Sequence, residues 1–135
     1  MKNTNSYQSF QKSPYKSTKH TTYFDIYDDL FSKYRGEKIT FVEIGVLGGG
    51  SLFMWRDFFG EEARIIGIDL NPSAKKWEKD GFEIFIGSQS DTNFGITLLR
   101  RLRELISFLT MVATHTNSKS SRQNHFYPSS TMVVC

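Results

Sequence analysis

One cysteine, Cys135, leaves no internal disulfide to staple this chain. No stretch approaches the roughly 18 consecutive apolar residues of a membrane span. The opening Met-Lys-Asn-Thr-Asn-Ser is polar and lacks the apolar stretch of a signal peptide, so a cytoplasmic protein without a membrane partner is expected. Acid is absent from residues 1–20, which hold four Lys, and nearly absent from residues 95–135, which hold five basic residues and one acid. Residues 21–94 carry the opposite balance, 8 basic against 13 acidic. The basic excess therefore sits at two ends around an acidic middle. That is a poor match to a charged face gathered for nucleic acid, so no nucleic-acid partner is expected, and the Ser/Lys/Arg-rich run reads as solvated coil. What is abundant is aromatic: 12 Phe among 135 residues, enough for a core in one domain of ordinary size.

Residues 1–18 are Ser-, Thr-, Lys- and Gln-rich, which predicts a disordered arm. Tyr23, Tyr27, Leu30, Phe31 and Tyr34 recur at three- and four-residue steps, predicting an amphipathic helix over 19–35 that stops at Gly36. Ile39–Ile44 is short, β-branched and bounded by Gly, the pattern of a buried strand. A Gly-rich turn, 45–50, leads into a helix over Ser51–Phe59 that Gly60 ends. Arg64–Asp69 and Glu83–Ile86 read as further strands, separated by the Asn71-Pro72 turn and a short helix capped by Ser73. Strands alternating with helical segments indicate βαβ units. The fold class expected is α/β, an incomplete Rossmann-like parallel sheet of three strands with a preceding amphipathic helix. Its boundaries are 19–94, followed by an aberrant tail at 95–135. A strand edge left unpaired by the missing half would favour aggregation.

The chemistry concentrates between Phe41 and Asp91. One strand ends in Glu43, a glycine turn opens a helix, and the next strand ends in Asp69. Glycines let a ligand approach the backbone, and the helix start offers free N–H groups. Asp69 follows Gly50 by 19 residues, close to the ~20 expected of a carboxylate that holds a ribose. The dinucleotide fingerprint fails, because Leu47 breaks it from Gly45 and Phe53 breaks it from Gly48. A phosphate loop fails for want of its Lys. A sulfonium nucleoside needs no phosphate contact, and its cationic groups favour an acid such as Glu43.

Phe41-Val42-Glu43-Ile44-Gly45-Val46-Leu47-Gly48-Gly49-Gly50-Ser51-Leu52, with Trp55, Ile66-Gly67-Ile68-Asp69 and Ile86-Gly87-Ser88-Gln89-Ser90-Asp91, resembles class I S-adenosylmethionine-dependent methyltransferases. Within them it is similar to the macrocin/mycinamicin sugar O-methyltransferase group, with cephalosporin-hydroxylase-type relatives. Lys19-His20 with Tyr23 and Tyr27 resembles the segment that leads into that domain. The resemblance covers about residues 16–94. It implies that Glu43 and Gly45, Gly48, Gly49 and Gly50 hold the methionine part of S-adenosylmethionine, that Asp69 holds the ribose, and that Gln89 and Asp91 border the adenine. It implies in-line methyl transfer to the hydroxyl of a small hydroxylated acceptor such as a sugar, by positioning and base assistance. Intact relatives are expected to carry metal-binding acids and a base in a fourth-strand motif, Asp-Ile-x-Leu-Asp-Asp-Gly-Gly-His, which this chain lacks. No catalytic and no metal-binding residue is therefore assigned, and weak or absent activity is expected.

The tail invites a codon test. Joining the last base of each codon to the first two of the next, Phe94-Gly95 must give Trp or Arg, and Met111-Val112 and Met132-Val133 must give Gly. From Leu105 to Thr114, nine junctions permit the missing motif. A shifted reading frame after Phe94 is the expectation.

Plainer roles stand beside these. Asp91 reads equally as a helix cap. Gln89 reads equally as surface polarity. Trp55 and Trp77 read as packing residues. His20 reads as a surface histidine, and His115 and His125 belong to the aberrant tail. Two rival functions stay open, a nicotinamide or nucleotide-binding Rossmann enzyme and a noncatalytic partner-binding fragment. The oligomeric state is not legible.

Overall fold

The computed structural model describes residues 4–88, 90–98, 100–101, 103 and 131–134, the last four by their backbone. The expectations for Gln89, His115, His125 and the window 105–114 lie outside the described residues. The chain forms two units, residues 1–87 with 131–135, and residues 88–130.

In the first unit, β1 (Thr40–Ile44), β2 (Arg64–Asp69) and β3 (Glu83–Ile86) are parallel, as the alternating pattern predicts. Their inner residues Phe41, Val42, Ile65, Ile66, Ile68 and Ile84 are buried, which is why these segments read as short continuous apolar runs. A fourth strand, β4 (Thr131–Val134), pairs in parallel with β1 and gives the order β3-β2-β1-β4. The three expected strands are thus joined by a fourth. The sheet has four strands, and β1 is internal, with its backbone groups paired on both sides. Four residues, three of them β-branched, suffice to continue the ladder once β1 offers an edge.

The first 18 residues also differ from the expected disordered arm. α1 (Asn5–Lys12) packs against α2 (Thr22–Phe31) and α3 (Gly50–Phe59). Thr4 caps it locally, and the Asp28 carboxylate of α2 accepts the backbone N–H groups of Asn5 and Ser6 at 2.7 and 2.9 Å. The Ser6 hydroxyl donates to the Phe24 carbonyl, and the Ser9 hydroxyl donates to Asp57 on α3. The polar composition that suggests disorder is the means of docking: two small hydroxyls are buried with partners, so a helix of low apolar content still binds.

α1 also moves the apolar face of α2. Phe24 and Tyr27 are buried, whereas Tyr23 and Leu30, expected in the stripe, are exposed. Phe24 is drawn inward by Tyr7 and Phe10 of α1, with ring centroids 5.2 Å from each. A 3-10 turn, Ser32–Tyr34, ends this helical stretch, and Gly36 follows at φ +77°. The core beneath is aromatic: Trp55 of α3 lies against Phe41, Tyr27 and Phe59, with centroids 4.6, 4.9 and 5.5 Å away. The segment Pro72–Asp80 is 3-10 helix, capped by the Asn71 side chain accepting from the Ser73 N–H, so Asn71 rather than Ser73 supplies the cap.

In the second unit, residues 92–98 are helical, and Asp91 Oδ1 accepts the N–H groups of Asn93 and Phe94 at 2.9 and 3.3 Å.

Candidate cofactor site

Parallel register places the two acids at one end of the sheet. Glu43 pairs with Gly67 and Ile44 with Ile68, so Asp69 stands just past the end of the paired stretch of β1. The Gly45 N–H still bonds the Ile68 carbonyl at 2.8 Å before the chain leaves the sheet at φ +87°. Asp69 then takes hold of the loop that follows. Its Oδ2 accepts the N–H groups of Val46 and Leu47 at 2.8 and 2.9 Å, and its Oδ1 accepts that of Asn71 at 2.8 Å. Burial pushes this carboxyl up, but the backbone donors of Asn71, Leu47, Val46 and Leu70 outweigh it and hold the pKa below the ordinary value. Leu47 is held at φ +46°, a region a branched residue enters only under constraint. Leu47 and Leu70 are 85 % and 70 % exposed, so apolar surface flanks the half-buried carboxylate.

Glu43 is in a different environment, 1 % exposed. Lys19 Nζ lies 3.0 Å from its Oε1. The same ammonium is 6.0 Å from the ring centroids of Tyr27 and Trp55, at the edge of cation–π range. Desolvation raises the Glu43 pKa, opposed by the charge and hydrogen bond of Lys19 and by the nearby side chains of Ser51 and Trp55. Yet Oε2 and the Trp55 indole N–H are both buried without a hydrogen-bond partner of good geometry. Tyr27 is pushed up in turn, by burial first and then by the charge of Glu43.

The four glycines assigned to the cofactor divide. A Cβ on Gly45 would meet nothing within 4 Å. One on Gly49 would lie 2.4 Å from the Trp77 ring, and one on Gly50 would lie 2.4 Å from the Tyr15 carbonyl oxygen. Gly49 and Gly50 are thus required by the protein's own packing, and at Gly48 the nearest atom is the Lys16 carbonyl oxygen at 3.3 Å. These carbonyls belong to the connection between α1 and α2, which crosses the loop as a strap. The Ser13 hydroxyl fastens it by donating to the Gly50 carbonyl at 2.8 Å, and Tyr15 rests on Trp77 with centroids 4.6 Å apart.

Asp91 belongs to the second unit, where its carboxylate caps a helix. His20 is exposed and edge-on to Tyr23. Trp55 and Trp77 are buried in packing contacts, as expected. Among the described residues no group of three or more His, Cys, Asp or Glu is placed to hold a metal ion, and no helix is long and apolar enough to cross a membrane. The residue that sequence reasoning missed is Lys19. It lies in the segment that resembles the family's lead-in, but nothing in its spacing connects it to Glu43, 24 residues on.

No protein-family model matches the chain. Over 86 residues it is 34 % identical to 8-demethyl-8-(2-methoxy-alpha-L-rhamnosyl)-tetracenomycin-C 3'-O-methyltransferase of Streptomyces olivaceus, which covers 58 % of this chain and 20 % of that protein. Over 72 residues it is 35 % identical to demethylmacrocin O-methyltransferase of Streptomyces fradiae, covering 48 % and 18 %. This chain is related to sugar O-methyltransferases. Solved structures agree. The MycE methyltransferase of the mycinamycin pathway, in complex with Mg and SAH, superposes with a TM-score of 0.50 at 34 % identity, covering 59 % of this chain and 22 % of that one. A second MycE structure, with Mg, SAH and mycinamycin VI, gives 0.54 at 28 % identity, covering 71 % and 24 %. The sheet is accordingly Rossmann-like. The chain spans about a fifth of the length of the curated methyltransferases it matches.

Proposed function

We propose that residues 19–94 are the cofactor-binding half of an S-adenosylmethionine-dependent O-methyltransferase domain whose acceptor is a small hydroxylated molecule, a sugar or a natural product that carries one. The observation that carries this is the meeting of Asp69, the open turn at Gly45 and the buried Glu43 at one edge of a parallel sheet. Ligands in such sheets bind outside the carboxyl ends of the strands, where the order reverses, and here that point is β1.

The described residues suit the nucleoside. Asp69 spends lone pairs on the loop but is half-exposed, so it has acceptor capacity left for a ribose. Leu47 and Leu70 offer apolar surface for a base. Gly45 leaves the approach clear. S-adenosylmethionine, when bound, supplies a methyl group on a sulfonium centre. The chain's own contribution is to orient that nucleoside with Asp69 and to set a carboxylate, Glu43, against its cationic end. The described residues do not fit a divalent metal site, and no step is assigned to one. A small-molecule acceptor is supported by the mycinamycin VI held in the MycE structure.

No described residue is placed as a base for an acceptor hydroxyl, so we expect weak or absent turnover from the 135-residue chain. Residues 95–135 are read as the same gene in a shifted frame. The coding sequence decides that directly, since a frame without the Asp-Ile-x-Leu-Asp-Asp-Gly-Gly-His codons removes the idea. Calorimetry tests the function. Saturable binding of S-adenosylhomocysteine, no binding of NAD, and loss of binding in Asp69→Ala are expected. Preference for NAD would favour the nicotinamide reading, and robust methyl transfer would refute the loss of activity.

A further inference from the structure

The cationic end of the proposed site already holds a cation. Glu43 is almost wholly buried, and the group that reaches it is the ammonium of Lys19, seated between the carboxylate and the rings of Tyr27 and Trp55. A carboxylate floor with aromatic walls is a general receptor for an alkylammonium ion. Among the described residues, the other neighbours that favour the charged carboxylate are the uncharged Ser51 and Trp55 of α3, and β2 presents Gly67 opposite. Among the described residues, the further titratable neighbour acting with it is Tyr27 of α2.

Lys19 arrives on the strap, which has no regular structure between α1 and α2. Its described side-chain fastening to the loop is the Ser13 hydroxyl on Gly50. The closed arrangement is also incompletely satisfied. Ser17 Oγ on the strap, Glu43 Oε2, and the indole N–H groups of Trp55 and Trp77 are buried without partners. All four lie on the segments that surround the glycine loop, and buried polar groups left unpaired disfavour the state that contains them.

We propose that Lys19 is an internal stand-in for the ammonium of an amino-acid-bearing nucleoside, and that ligand binding exchanges one ammonium for the other on Glu43, releasing the strap over residues 13–20. This rests on the cofactor reading above. The exchange is neutral: one positive charge leaves the carboxylate as another arrives, and no proton is taken up. Lys19 thereby becomes a specificity-determining residue, because only a ligand with its own ammonium can replace it.

Two ligands separate the possibilities. S-adenosylhomocysteine carries the ammonium, and 5'-methylthioadenosine keeps the nucleoside without it. In the full chain, trypsin cleavage after Lys16 and Lys19 should accelerate with saturating S-adenosylhomocysteine and stay unchanged with 5'-methylthioadenosine. Lys19→Met should raise the ratio of S-adenosylhomocysteine to 5'-methylthioadenosine affinity by roughly tenfold at pH 8.5, the scale of one ammonium–carboxylate contact. A merely structural lysine would move both affinities together. If Lys19→Met does not fold, the wild-type digestion decides alone. Protection or unchanged cleavage with bound S-adenosylhomocysteine overturns the exchange and leaves the cofactor reading intact. Failure of the wild type to bind either nucleoside removes both.

Discussion

Asp69 shows how one side chain serves structure before it serves a ligand. Its carboxylate collects three backbone N–H groups from both sides of the sheet edge. Asp69→Asn keeps one acceptor oxygen and loses the charge. It should cost about 1–2 kcal/mol in urea denaturation, the worth of charge-assisted bonds at a half-exposed site. The pH signature has a definite sign. A lowered carboxyl pKa contributes stability that is present above the unfolded value and lost as pH falls through the folded value. Asp69→Asn should therefore flatten that part of the acid limb. Glu43 acts oppositely. Its raised pKa means that the ionised form opposes folding above the folded value, an effect relieved as pH falls toward the unfolded one. The glycines give a second comparison. Gly45→Ala meets open space, so it should cost only the left-handed backbone penalty of about 1–2 kcal/mol. Gly49→Ala adds a collision with Trp77 and should cost about 2–4 kcal/mol, read as a larger fall in Tm. The places of Glu43 near the end of β1 and of Asp69 at the end of β2 were legible from the sequence. The partner that occupies Glu43 was not, because a salt bridge 24 residues long leaves no local pattern.

Elements were legible where a short segment carries its own signal. Arg64–Asp69 and Glu83–Ile86 form strands over the expected residues, and Gly60 ends α3 at φ +93°. α1 is not legible in the sequence because, beyond its local Thr4 cap, the groups that dock it lie on other elements. Asp28 of α2 accepts two of its first N–H groups, and Asp57 holds it from α3. Asp28→Ala should cost about 1 kcal/mol and speed trypsin cleavage after Lys12, as α1 loses the acceptor for two N–H groups. Wild-type cleavage rates in that variant would refute the docking. The stripe of α2 was placed one residue off at its start, since the choice between Tyr23 and Phe24 belongs to the helix that covers them.

On the scale of the molecule, β4 decides whether β1 is an edge. Paired on both sides, β1 presents no free ladder. Deleting residues 131–135 should expose it and drive concentration-dependent association, visible in light scattering; a deletion that stays monomeric would show that β1 needs no cover. The amino-acid sequence by itself determined the succession of the first three strands along the chain, the glycine turn and the two acids that flank it, because each rests on residues within a few positions of one another. Only the tertiary structure decided that Trp77 and Tyr15 claim Gly49 and Gly50, that a polar arm folds onto the core, that a distant segment completes the sheet, and that Lys19 sits on Glu43. Those are contacts between segments far apart in the chain, chosen by which surfaces remained unsatisfied once the local elements had formed.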